Sequence, residues 1–450
     1  MFKTIQNAWR IPDLRKKILF TLFIIIVFRI GASIPVPYLN MGALAGMMSS
    51  VDQGNTLLAY INTFSGGAFA NATLFAMSVT PYINASIIMQ LLTVAIPPLE
   101  RMAKEGEEGR KRIGAITRYV TVALGLIQGT AYYFYLKNST YTDGTGAYDH
   151  TPIVMYNSGW EMVFSAIVII LVFTAGSAIM MWLGEQINQK GIGNGISILL
   201  FAGIVSRMPN TIAILMEYLQ NAYLAPESFG QYFVYVPLFV VLFLAVVWVI
   251  VFMNDAERRI PVQYAKRVVG RKMYGGQNSH IPIKVGLSGV MPIIFASSIL
   301  SIPSTINLFV NPAEGSFWKG FLDAFSTDGW LYSVLYFVLI IMFAYFYVMI
   351  QYNPIEMANN LRQNNGTIPG IRPGKPTADF ISKILNKITL IGALFLAVIA
   401  ILPIVYGALT GLRHLSLGGT SVIILVGVAL ETVKQMESQM MMRHYKGFLD

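Results

Sequence analysis

Ten apolar stretches long enough to cross a bilayer recur along this 450-residue chain, and their deep interiors hold almost no ionised side chain. They lie near residues 18–36, 72–92, 113–136, 160–182, 192–213, 232–253, 286–309, 330–351, 381–405 and 418–436. A crossing takes about 20 mostly apolar residues, so the chain reads as an all-α polytopic membrane protein. With the N-terminus in the cytoplasm, all but five of the 32 Lys and Arg fall in segments or span ends on that side. The exceptions are Lys137, Lys319 and Arg413 in outer segments, Arg207 near the outer end of a span, and Arg29 within one. This bias fixes topology by the positive-inside rule, and an even number of spans leaves both termini cytoplasmic.

Composition agrees. Charged residues make up 12% and hydrophobic ones 55%, with a mean hydropathy of +0.59, whereas soluble domains carry about 25% charged residues. The absence of cysteine excludes disulfides, thiolate metal sites and a cysteine nucleophile. The four histidines are isolated, so no metal or cofactor is expected. Lys16 and Lys17 before the run Ile18–Ile34 resemble a secretory leader, but the run exceeds a signal core and further spans follow; it reads as a retained first span.

Ten spans divide into halves of five, at residues 1–213 and 214–450. Because five is odd, a second copy of such a half enters the membrane upside down, giving an inverted repeat. This is a topological argument, without visible sequence identity between the halves. Residues 56–70, TLLAYINTFSGGAFA, are apolar but too short to cross. Two readings stay open on the residues alone: an amphipathic helix on the outer surface, or a half-helix folded back into the protein.

Motifs for chemistry are sparse. Gly191-Ile-Gly193-Asn-Gly195 lacks the GxGxxG spacing and runs straight into a span, so its glycines read as a tight turn and close packing. No Walker lysine, HExxH or GxSxG occurs, which leaves no enzyme site of those kinds. An ion-coupled transporter needs acidic groups at mid-span. Here Glu185 follows the fourth span and Glu431 sits toward the cytoplasmic end of the last. Arg29 reads as a packed arginine that pairs with polar groups or snorkels. Val79 with Ile83, and Ile196 with Leu200, put aliphatic pairs on single helix faces, a pattern that ordinarily means packing or lipid contact. Asn84 and Gln90 are more telling, since a buried amide needs a partner or a wet cavity.

Two basic segments remain. The loop 254–285 carries Arg258, Arg259, Lys266, Arg267, Arg271 and Lys272; the loop 352–380 carries Ile368-Pro-Gly-Ile-Arg372-Pro-Gly374. Prolines and glycines around one arginine make a rigid turn suited to docking a carboxylate or phosphate. Solvated loops obeying topology would look the same by composition.

At VFRIGASIPVP (27–37), NTFSGGA (62–68), TPYINASIIMQLL (80–92), EGEEGRKR (105–112), MWLGEQI (181–187), GIGNGISILLFAGIV (191–205), IPGIRPG (368–374) and GGTSVIILVGVALE (418–431), the sequence resembles the SecY family, central subunits of the bacterial protein-conducting channel. The pieces are collinear and cover nearly the whole chain. The resemblance implies two inverted five-helix halves around a pore closed at mid-membrane by Val79, Ile83, Ile196, Leu200, Ile294 and Ile424. Val79 and Leu200 stand where the family favours isoleucine. It implies a re-entrant plug helix over 56–70, with Leu57, Leu58, Ile61, Asn62, Phe64, Ser65, Gly66 and Gly67. A lateral gate would run between the second and third spans and the seventh and eighth, with Asn84, Gln90, Ser297 and Ser298 on its helices.

The same resemblance implies docking of the SecA ATPase or a ribosome with its nascent chain through Arg258, Arg259, Lys266, Arg271, Lys272 and Arg372, ribosomal RNA included. It implies SecE and SecG as partners. The substrate would be an unfolded secretory polypeptide with its signal sequence, crossing the bacterial cytoplasmic membrane or leaving sideways into lipid. No cofactor and no enzymatic step are implied. The competing classes, a secondary transporter and a membrane-embedded enzyme, lack their midplane ion site and catalytic constellation respectively.

Overall fold

The computed structural model describes residues 2–44, 65–138, 140–142, 150–156, 158–264, 267–269, 272–274, 278–310, 320, 330–410 and 419–446. The first half contains α1 (Phe2–Arg10), α2 (Pro12–Gly31), α3 (Thr80–Ala95), α4 (Pro97–Lys104), α5 (Glu107–Asn138), α6 (Gly159–Lys190) and α7 (Gly195–Leu224). The second contains α8 (Tyr232–Asp255), α9 (Met291–Val310), α10 (Trp330–Gln351), α11 (Pro354–Gln363), α12 (Lys375–Thr410) and α13 (Gly419–Lys446). Each expected span overlaps one of these helices. Among the described residues, five helices are long and apolar enough to cross a membrane on their own, beginning at Gly159, Gly195, Tyr232, Leu331 and Lys375.

Local chemistry explains the helix ends. Asn194 caps α7, its side chain accepting from the amides of Ile196 and Ser197, and Asn353 caps α11 in the same way. α3 and α4 bend by 101° about Ile96, which is held extended by Pro97 behind it. Pro209, Pro237, Pro303 and Pro403 lie inside helices, a placement that membrane bundles tolerate because neighbouring groups take up the freed carbonyls.

The second span departs from the expected 72–92. Residues 65–79 form turns and the helix begins only at Thr80. Their backbone groups bond sideways instead of along a helix: Leu74 N–H donates to the Ile34 carbonyl and Val36 N–H to Ala72. Ala72 and Ser78 have φ of 39° and 50°, a conformation no right-handed helix contains.

In the first half α5 packs on α3 and α6, and α6 on α2 and α7; in the second, α10 packs on α9 and α12, and α12 on α13. The halves meet along two seams. One is α7 against α8 and α13; the other is α9 against α3 and α5. On the side bearing the basic loops α1 also lies on α13, where Ala8, Leu14, Ile192 and Met436 share a buried cluster.

The basic loops fold together. After a short hairpin of β1 (Thr140–Thr142) and β2 (His150–Pro152), β3 (Glu257–Tyr264) pairs antiparallel with β6 (Asn278–Lys284), placing Ile260 opposite Ile281; β4 (Arg267–Val269) and β5 (Lys272–Tyr274) pair between them, and β7 (Gly366–Thr367) adds to the other edge of β3. Ile260, Val262, Ile283, Leu361 and Ile368 bury beneath this sheet with Ile381 and Leu385 of α12.

Candidate functional site

The six aliphatic residues expected at mid-membrane come together. Val79, Leu200 and Ile424 are buried in one apolar cluster, and Ile83, Ile196 and Ile294 pack against it. They stand within the first two turns of α3, α7, α9 and α13, or just before α3 in the case of Val79. Two of these helices, α3 and α7, come from the first half of the chain and two, α9 and α13, from the second, so both halves supply the cluster. Phe28, Phe75 and Ala68 extend it toward residues 65–79.

At the second seam, Ile83, Ile87 and Leu91 follow one another at i, i+4 spacing on α3 and insert into the core of the opposite half, among Ile293, Phe295 and Tyr336. Asn84 stands beside this stripe with its Oδ1 buried and without a hydrogen-bond partner. Gln90 Nε2 donates to Ser86 Oγ at 3.4 Å within α3. Ser297 is buried and donates to the Ile294 carbonyl one turn back. The seam therefore mixes apolar interlock with two polar side chains, Gln90 and Ser297, that bond within their own helices and one, Asn84, whose Oδ1 has no partner.

Of the residues expected in the plug, Leu57, Leu58, Ile61, Asn62 and Phe64 lie outside the described residues. Ser65, Gly66 and Gly67 form a turn in the joint between α2 and α7. The Ser65 hydroxyl accepts from the Phe69 amide at 3.0 Å, and Tyr132 donates to the Phe69 carbonyl at 2.6 Å. Arg29 donates from Nη1 to Ser206 Oγ at 2.9 Å and reaches the Gly66 carbonyl at 3.4 Å. Sequence reasoning did not find Ser206; its one signal was a small polar residue beside Arg207 near the end of an apolar span.

On the basic face, Arg258 and Arg372 are exposed. Arg259 is exposed as well but bonds Glu257 at 2.6 Å, which offsets part of its charge. Ile368 anchors the second loop in the buried cluster, Gly370 and Gly374 take φ of 81° and 102°, and Thr377 donates to the Arg372 carbonyl at 2.9 Å. Arg372 is thus held at the tip of a braced turn. Lys272 lies in β5 (Lys272–Tyr274), which pairs with β4 (Arg267–Val269); Lys266 and Arg271 lie outside the described residues. Gly191–Gly195 form the tight connection between α6 and α7, where a side chain on Gly195 would collide with the Gly184 carbonyl. Among the described residues no three His, Asp or Glu gather into a metal-holding group.

Comparison with known proteins gives a consistent answer. The SecY family model matches residues 73–433. The protein translocase subunit SecY of Streptomyces coelicolor is 43% identical over 458 aligned residues, covering 100% of both chains. Among solved structures, a protein conducting channel superposes with a TM-score of 0.63 at 19% identity, covering 94% of this chain and 92% of that one. Sec61 in the canine ribosome-channel complex from the endoplasmic reticulum superposes with a TM-score of 0.59 at 18% identity, with the same coverage.

Proposed function

The chain belongs to the SecY family and is a protein translocation channel, and from that premise we propose how its parts divide the work. The closed seal is the aliphatic cluster of Val79, Ile83, Ile196, Leu200, Ile294 and Ile424. The observation that carries this reading is that α3, α7, α9 and α13, with Val79 just before α3, deliver these six side chains to one apolar cluster. A narrow apolar constriction dewets and so obstructs ions. A translocating polypeptide presents every kind of side chain in turn, and aliphatic groups grip none of them.

Residues 56–70 act as a plug beneath this seal, and the halves 1–213 and 214–450 part at the seam of α3 and α5 with α9. Asn84, Gln90, Ser297 and Ser298 line that gate. Apolar segments of the passenger leave through it into lipid, favoured by about 0.3–0.6 kcal/mol for each Leu, Ile, Phe or Val at a helix centre. Signal sequences engage the same route.

Energy comes from outside the chain. Arg258, Arg259, Lys266, Arg271, Lys272 and Arg372 form the docking surface for SecA or for a ribosome, since fixed cations suit both an acidic motor face and the phosphates of ribosomal RNA. SecE and SecG complete the assembly. The chain works in the bacterial cytoplasmic membrane with both termini cytoplasmic and performs no catalysis of its own. Polar substitution tests the seal: Ile83→Ser and Ile294→Ser raise resting ion conductance in planar bilayers, and parental conductance in both would remove these residues from it.

A further inference from the structure

We infer that Lys434 tethers the root of the basic hairpin to α13, so that a partner seated on the loops moves Ile294 and Ile424 together. The inference rests on the docking and seal readings proposed above and adds the residue that joins them.

The hairpin root is a tight joint. Asn254 and Asp255 end α8, and β3 begins at Glu257. The Val285 amide, just after β6, donates to the Ala256 carbonyl at 2.8 Å. Gly286 then passes so close that a Cβ on it would stand 2.9 Å from Asn254 Oδ1. The end of α8 and both strands of the hairpin are thereby fixed to one another. From this joint the chain itself leads into α9, which begins at Met291 and carries Ile294. α13 reaches the same joint through a side chain. Lys434 Nζ donates to Asp255 Oδ1 at 2.7 Å, across 179 residues of chain, and to the Asn254 carbonyl at 3.3 Å. That carbonyl is among the last of α8, which have no donor within the helix, and a cation suits the C-terminal end of a helix dipole.

The pair does something that packing does not. Ile250 of α8 and Leu430 of α13 share a buried apolar cluster, but apolar contact is non-directional and lets packed helices slide. A hydrogen-bonded ion pair fixes their register. The ion pairs Glu100–Lys104, Glu107–Lys111 and Glu108–Arg112 each stay within one turn of a single helix, so they hold nothing between elements. Beside Lys434, Val433 and Met436 pack with Ala8, Leu14 and Ile192, so the tether ends on a stretch of α13 already seated against the first half. Ile424 lies about 15 Å back along the same helix, at 1.5 Å per residue. Lys434 and Asp255 are both partly exposed, and a pair in that setting adds little to stability. Lys434 is therefore a positioning residue that acts through α13.

The test uses the purified complex with SecE and SecG and reads resting conductance, SecA affinity and the rate of SecA-driven export. Lys434→Gln leaves the first two at parental values and lowers export roughly threefold; Lys434→Glu, which sets two carboxylates against each other, lowers it roughly tenfold. Lys434→Arg keeps parental export. Adding Asp255→Lys to Lys434→Glu reverses the pair and brings export back to within about twofold of parental. Parental export in Lys434→Glu, or a double variant no better than Lys434→Glu, would overturn the tether. So would a loss of SecA affinity that matches the loss of export, which would place Lys434 in the docking surface, or a raised resting conductance, which would place it in the seal. SecA affinity unchanged by Arg372→Glu would instead overturn the docking reading, and parental conductance in Ile83→Ser and Ile294→Ser the seal reading, each taking the tether with it.

Discussion

Asn84 Oδ1 is a buried acceptor without a partner at a seam that is otherwise interlocked by Ile83, Ile87 and Leu91. Such an atom costs about 1–3 kcal/mol while the seam is shut, a cost that falls away once opening admits water or a passenger. Asn84→Leu therefore stabilises the shut seam by about that amount. In an in vitro export assay it blocks precursors with weakly hydrophobic signal sequences first and spares strong ones; equal export of both classes would contradict the role. A second residue-level test concerns folding alone. Asn194→Ala removes the cap of α7 and costs about 1 kcal/mol, seen as a lower apparent melting temperature of the complex in detergent. At this scale the sequence was partly legible. The Asn194 cap went unread within the Gly191–Gly195 run, whereas the amide in an apolar span stands out, because polar atoms must be satisfied wherever they are buried. Ser206 did not, since a serine among small residues is common in membrane helices and only its three-dimensional neighbours make it distinctive.

Elements recombine what the sequence keeps apart. The loops 254–285 and 352–380 are separated by two helices in the chain, yet β7 pairs with β3 and both share one buried cluster. A partner pulling on one loop therefore loads the other through the sheet. Arg372→Glu reverses the charge of a braced, exposed tip without touching that cluster. It lowers SecA-driven export at least several-fold while SecE and SecG still co-purify, and normal export would remove Arg372 from the docking surface. The hairpin was hidden in the sequence because Pro261 and Pro282 interrupt its alternation, and proline ordinarily argues against a strand. Pro261, exposed between the buried Ile260 and Val262, is tolerated because β7 pairs only with Gln263 and Tyr264 and leaves β3 an edge strand at this position. The start of the second span was misread for a related reason. Residues 72–79 are apolar enough for a helix, but hydropathy does not reveal that Leu74 and Val36 direct their amides across to a neighbouring strand-like segment.

For the whole molecule, charge segregation and span count carried most of the architecture. They predict which side each helix end faces, and an odd number of spans per half predicts the inversion. What they leave out is closure, because an aliphatic residue suits lipid contact on one helix face and a seal on another equally well. Only convergence separates the two: Val241 on α8 is exposed, whereas Ile424 on α13 is buried in the central cluster. The absence of cysteine makes this distinction accessible to single-site probes, since any introduced thiol is unique in the chain. The central claim is that a passenger travels through the cluster formed by both halves. Crosslinking from a probe placed singly at Ile83, Ile294 or Val241 to a stalled secretory chain tests it directly. The account predicts adducts from Ile83 and Ile294 and none from Val241; adducts from Val241 with none from Ile83 and Ile294 would contradict it.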